Sequence, residues 1–189
     1  MSRVYLIRHA KPSATWGGDD DDPGLDEQGR AQAEKAARTL LSLPPEQRPT
    51  RVVSSPLRRC QETAKPFAEA IGAMLEIDPA VGEIPTPSAL SPEERGPWLR
   101  AAFTGEWTDI KGDLDYDAWR RSALQAVASR ESAAVFSHFV AINGVLTALA
   151  NEPQVITLRP DHASISVFDL EGGVLTLVER GPEAQTQVL

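Results

Sequence analysis

The sequence predicts an α/β protein of three layers, a mainly parallel central sheet flanked by helices, with a small insertion capping a site. Two observations carry this reading. Val4–Ile7 and Ala133–Ser137 are short, continuous apolar runs, the pattern of strands buried on both faces, and Arg51–Ser54 is a further strand. Between the strands lie stretches of helical periodicity, and strands alternating with helices wind a parallel sheet. The length of 189 residues suits a single domain, 1–189, in which 84–130 forms the cap or insertion.

Each element has a local signal. In "LDEQGRAQAEKAARTLLSL", Ala33, Ala36, Ala37, Leu40 and Leu41 share one helical stripe; Asp26 is the expected N-cap and Pro44-Pro45 the stop. Ser55-Pro56 reads as N-cap and first position of a second helix, with a bend or break near Pro66. Residues 84–112 show no clear pattern: prolines and glycines are interspersed with Trp98, Phe103 and Trp107, read as part satellite core and part lid. An amphipathic helix follows over Asp115–Ser129, then an apolar helix over Val140–Ala150. Two strands, Ser164–Leu170 and Val174–Glu179, flank a turn at Glu171-Gly172-Gly173.

Charge narrows the function classes. A formal net charge of -8 argues against general binding to nucleic acid or an anionic membrane, both of which need a basic face. The one cysteine, Cys60, excludes an internal disulfide and fits a reducing, cytoplasmic setting. No apolar run approaches the ~18 residues of a membrane span. The three histidines and one cysteine lack zinc spacing, and the acids Asp19–Asp22 read as a solvated loop, so no metal or other cofactor is expected.

Sites in wound sheets form at the carboxyl ends of the strands. Here those ends carry Arg8-His9, Arg58-Arg59 and His138. Two histidines and at least two arginines on one rim imply a pocket for a compact anion, most simply a phosphate. Cations beside His9 disfavour its imidazolium, and a neutral imidazole is a nucleophile able to take a phosphoryl group. Glu83, in "AVGEIPTP", stands where it could protonate a leaving alkoxide. His162, in "RPDHASISV", is read as structural.

"LIRHA", "SSPLRRCQETA", "GEIPTP" and "VFSHFVAINGVL", in this order and spacing, resemble the histidine phosphatase superfamily with its phosphoglycerate-mutase-like fold, over residues 3–83 and 133–170. "GLDEQGRAQA" is similar to that family's helix start after the catalytic loop. The resemblance implies that His9 is the phosphorylated nucleophile. It makes Arg8, Arg59 and His138 the phosphate-binding residues, His138 also catalytic, and Glu83 the proton donor. Arg59 is preferred to Arg58 because it holds the motif's place two residues after Leu57. Four departures stand out. Ala10 replaces the usual glycine after the nucleophile, Phe139-Val140 replaces Gly-Gly, and Thr15 replaces an asparagine. The mutases' carboxylate-binding arginine has no counterpart in Gly17–Asp22. Thr15, Trp16 and Phe139 are the expected substrate-pocket residues.

The function expected is a metal-independent phosphatase acting on a small phosphorylated molecule through a phosphohistidine. A protein phosphohistidine phosphatase, a phosphoglycerate-type mutase and a non-catalytic phospholigand-binding protein are the alternatives. The substrate and the oligomeric state are not legible in the sequence.

Overall fold

The structure, a computed structural model, describes residues 2–14 and 22–184. Six strands form one mixed sheet: β1 (Ser2–Arg8), β2 (Arg51–Ser54), β3 (Leu75–Ile77), β4 (Ala133–Ser137), β5 (Ile165–Glu171) and β6 (Val174–Glu179). Their spatial order is β3-β2-β4-β1-β5-β6. The first four strands of that order run parallel, and β5 and β6 are added antiparallel. Gly172 and Gly173 turn the last hairpin at φ 59° and 81°, the left-handed region where glycine carries no steric penalty.

Side-chain alternation along the strands builds the layers. Val4 and Leu6 of β1 and Ala133 and Val135 of β4 point to one face. There they pack with Ala123 and Val127 of α4 (Tyr116–Ala128) and with Ile142, Val145 and Leu146 of α5 (Phe139–Ala150). Tyr5, Ile7, Ala134 and Phe136 point to the other face, against Ala37 and Leu40 of α1 (Glu27–Leu41) and Ala64 and Phe67 of α2 (Arg58–Ile71). A further cluster, Ile84, Leu99, Trp107, Tyr116, Phe139, Val140 and Val155, lies around α3 (Pro92–Phe103).

The expected N-cap of α1 is present: the Asp26 carboxylate accepts from the Gly29 N–H at 2.6 Å. Gly29 also lets α1 approach the loop after β1, because a Cβ there would overlap the Lys11 carbonyl oxygen. Three local expectations need correction. Helix α2 begins at Arg58, not at Ser55-Pro56, because Leu57 is still extended (φ -73°, ψ 137°). The Arg58 N–H is satisfied by the Asp22 carboxylate at 2.8 Å, not by Ser55. Nor does Pro66 break the helix, which runs on to Ile71. The missing N–H removes one bond, whereas Phe67 and Ala68, both buried, hold the following turn on the sheet. Finally, the patternless stretch contains α3. Its start has Pro92 in the first turn and Glu94 accepting from the Ser91 N–H at 2.8 Å, but Gly96 and Pro97 inside it obscure the periodicity.

Among the described residues, no helix is long and apolar enough to cross a membrane.

Candidate active site

Strand register assembles the site. Arg8 of β1 is level with Ser137 of β4, and Ser54 of β2 is level with Phe136. Each of these parallel strands therefore releases its next residues at the same edge: His9, Ser55 and His138. The His9 and His138 rings lie 5.3 Å apart, centroid to centroid. Arg59, the second residue of α2, enters the same space: its Nη2 is 3.3 Å from His138 Nδ1 and 3.8 Å from Glu83 Oε2. Arg8, His9, Arg59 and His138 are all at most 6% exposed.

The His9 tautomer follows from one hydrogen bond. Its Nδ1 lies 2.8 Å from the Ala10 carbonyl oxygen, which can only accept, so Nδ1 carries the proton and Nε2 the lone pair. Burial lowers the His9 pKa well below the ordinary imidazole value, with His138, Arg8 and Arg59 adding to the shift. Desolvation thus outranks the neighbouring cations invoked from the sequence, although both favour the neutral ring. Ala10 is held by its N–H, which donates to Thr63 Oγ1 at 2.9 Å, and it is not among the positive-φ residues. The left-handed penalty that alanine would suffer in place of glycine does not arise.

His138 is fully buried, and its pKa is lowered by burial, then by Arg59 and Arg8. Arg59 has only donors, so His138 Nδ1 accepts, and its Nε2–H donates to Ser55 Oγ at 2.7 Å. Cys60 Sγ lies 3.4 Å from the same nitrogen, and burial raises the Cys60 pKa, keeping it a thiol. Arg8 donates from Nη1 to the Pro160 carbonyl, and its guanidinium lies 5.2 Å over the Phe139 ring. Burial pushes the Arg8 pKa down to about 10, so it stays cationic at neutral pH. Its buried Nε has no hydrogen-bond partner among the described residues. An unpaired guanidinium N–H in a buried cluster of neutral imidazoles suits an oxyanion.

Glu83 follows the 3-10 turn Pro79–Val81 that Asp78 caps at the end of β3. Its Oε2 stands 3.5 Å from His138 Nδ1, and its Oε1 accepts from the Ile84 N–H at 3.0 Å. Burial raises its pKa against the opposing pull of Arg59, the Ile84 N–H and Arg8, which favours a carboxyl able to give a proton.

The structure thus gathers Arg8, His9, Arg59, Glu83 and His138. Phe139 is buried beside them, with its ring 5.4 Å from that of Phe103. Thr15 and Trp16 lie outside the described residues, as do Asp19, Asp20 and Asp21 of the acidic loop. Arg58 is exposed and pairs with Glu62. Trp107 is a core residue whose Nε1 donates to Thr147. Sequence reasoning missed the part played by Ser55 and Thr63; their signals were the level strand ends and a threonine four residues after Arg59. No group of three or more His, Cys, Asp or Glu among the described residues could hold a metal ion.

Comparison with known proteins bears on the fold and the family. The chain is similar to a mycobacterial glucosyl-3-phosphoglycerate phosphatase, 22% identical over 88% of this chain and 89% of that one, with a TM-score of 0.67. It is similar to phosphoserine phosphatase from Entamoeba histolytica, in a complex with 3-phosphoglyceric acid, at 18% identity over 98% of each chain and a TM-score of 0.74. A putative α-ribazole-5'-P phosphatase from Escherichia coli is 17% identical over 99% of each chain, with a TM-score of 0.72. Among curated proteins, none matches. The sequence model of the histidine phosphatase superfamily (branch 1) matches residues 4–181, and with two histidines and two arginines converging at its strand ends, the chain belongs to that superfamily.

Proposed function

We propose that the protein is a metal-independent, cytoplasmic phosphatase that hydrolyses a small phosphomonoester through a phosphohistidine on His9. One observation carries this: the Ala10 carbonyl fixes the Nδ1–H tautomer, leaving the Nε2 lone pair among Arg8, Arg59 and His138. Nε2 attacks phosphorus as the ester P–O bond breaks, and the departing oxygen takes a proton from Glu83. Arg8, Arg59 and His138 stabilise charge on the equatorial oxygens. Water then attacks the phosphorus of the P–N bond, giving its proton to the Glu83 carboxylate and releasing phosphate. The buried Glu83, whose pKa burial raises, favours an ester over a phosphoramidate substrate, whose nitrogen leaving group needs less acid assistance.

Rapid acid-free denaturation of enzyme turning over a radiolabelled phosphomonoester should leave protein-bound label that is stable to base and lost in acid. His9→Ala should carry none. Equal label on wild type and His9→Ala would overturn the reading.

A further inference from the structure

The loop before β5 brings a third imidazole to the site. The His162 ring centroid lies 5.9 Å from that of His9, and no element of the mechanism uses it. Three hydrogen bonds, two of them between backbone groups, tie this loop to the end of β1. Arg8 donates through Nη1 to the Pro160 carbonyl at 2.9 Å and through its backbone N–H to the Ser164 carbonyl at 3.1 Å. The Ala163 N–H donates to the His9 carbonyl at 3.4 Å. Upstream, the buried Asn143 side chain holds the chain at Thr157 and Leu158 with bonds of 2.9 Å. The turn is also strained: Ala163, immediately after His162, has φ 57°, a conformation L-residues other than glycine, asparagine and aspartate rarely take.

This investment presents a ring that makes no hydrogen bond through either nitrogen to the described residues; the only bond at His162 is from its backbone N–H to Asp161. It keeps partial exposure, whereas His9 is buried beneath it. Burial and then Arg8 push the His162 pKa down to about 4, so at neutral pH the ring has one donor nitrogen and one acceptor nitrogen. That pair complements a hydroxyl, which also donates once and accepts, better than it complements an anion.

Building on the phosphatase reading above, we propose that His162 is a specificity-determining residue that hydrogen-bonds a hydroxyl on the leaving alcohol, next to the phosphoester. The substrate class is then a phosphorylated polyol, hydroxy acid or sugar, not a simple alkyl phosphate.

The test compares glycerol 3-phosphate with propyl phosphate, which lacks the hydroxyls, in wild type, His162→Phe and His162→Gln, with vanadate titration of each protein to report an intact phosphate pocket. One neutral hydrogen bond corresponds to roughly a five- to tenfold preference in kcat/KM. Wild type should prefer glycerol 3-phosphate by that factor, His162→Phe should bring the ratio near one, and His162→Gln, which keeps a donor and an acceptor, should retain part of it. A wild-type ratio of one, or a ratio unchanged in His162→Phe while both rates fall together, would assign the ring a structural role and overturn the proposal. Vanadate binding without hydrolysis of either ester or of an aryl phosphate by wild type would instead sink the phosphatase reading, and the specificity role with it.

Discussion

Burial moves the pKa values of a carboxyl and an imidazole in this pocket in opposite directions, which suits them to the opposite tasks proposed for Glu83 and His9. Desolvation lowers the His9 pKa and raises that of Glu83, favouring the neutral forms that a nucleophile and an acid require. The sign of the pH dependence follows. As pH falls, activity is lost only once His9 is protonated, well below the ordinary imidazole pKa. As pH rises, it is lost once Glu83 gives up its proton, above the ordinary carboxyl pKa. In Glu83→Gln, kcat for an alkyl phosphate should drop by about 10²–10⁴-fold, the usual weight of general acid catalysis. The loss should be far smaller for p-nitrophenyl phosphate, whose leaving group needs no proton, and the alkaline limb of the profile should vanish. Steady-state kinetics on the two esters checks this, and equal losses on both would remove Glu83 from the acid role.

At the scale of elements, the site depends on how one helix begins. Arg59 sits on the first turn of α2, so any fraying there moves the guanidinium that faces His138. The Asp22 carboxylate accepts from the Arg58 N–H across the mouth of the loop after β1, and it also places negative charge at the positive end of the helix. Asp22→Ala should lower unfolding free energy by about 1 kcal/mol. It should also weaken vanadate binding, because Arg59 loses its rigid base. Chemical denaturation and vanadate titration on the same variant check both, and a stability loss without any change in vanadate affinity would separate the cap from the site. Asp22 thus satisfies the start of α2, a role the run of aspartates did not advertise.

For the whole molecule, the buried imidazoles couple folding to pH. His9, His138 and His162 all have folded pKa values below the ordinary 6.5. Above that value neither state binds these protons. As pH falls through it, the unfolded chain binds them and the folded one does not, so stability declines by up to about 1.4 kcal/mol per pH unit for each ring. Glu83, with its raised pKa, works in the opposite direction, but it is one group against three. Urea unfolding should therefore show stability falling from pH 7 toward pH 5, before ordinary carboxylates titrate. His162→Phe should flatten the slope by up to about one proton's worth. A stability independent of pH across that window would contradict the burial of these rings.

The sequence alone determined the layers, because strand burial and helical stripes are local patterns of one residue type after another. It also determined the family's motif set: Arg8-His9, Arg59, Glu83 and His138 each end or follow a recognisable element. The tertiary structure alone decided what those residues can do. The level register of β1, β2 and β4 put Ser55 beside His138, residues 83 apart in sequence. The Ala10 carbonyl settled which nitrogen of His9 is free, and a strained turn at Ala163 carried His162 from a distant loop to within 5.9 Å of the His9 ring. Hydrogen-bond partners across such separations are set by packing of the whole sheet, which no window of sequence contains.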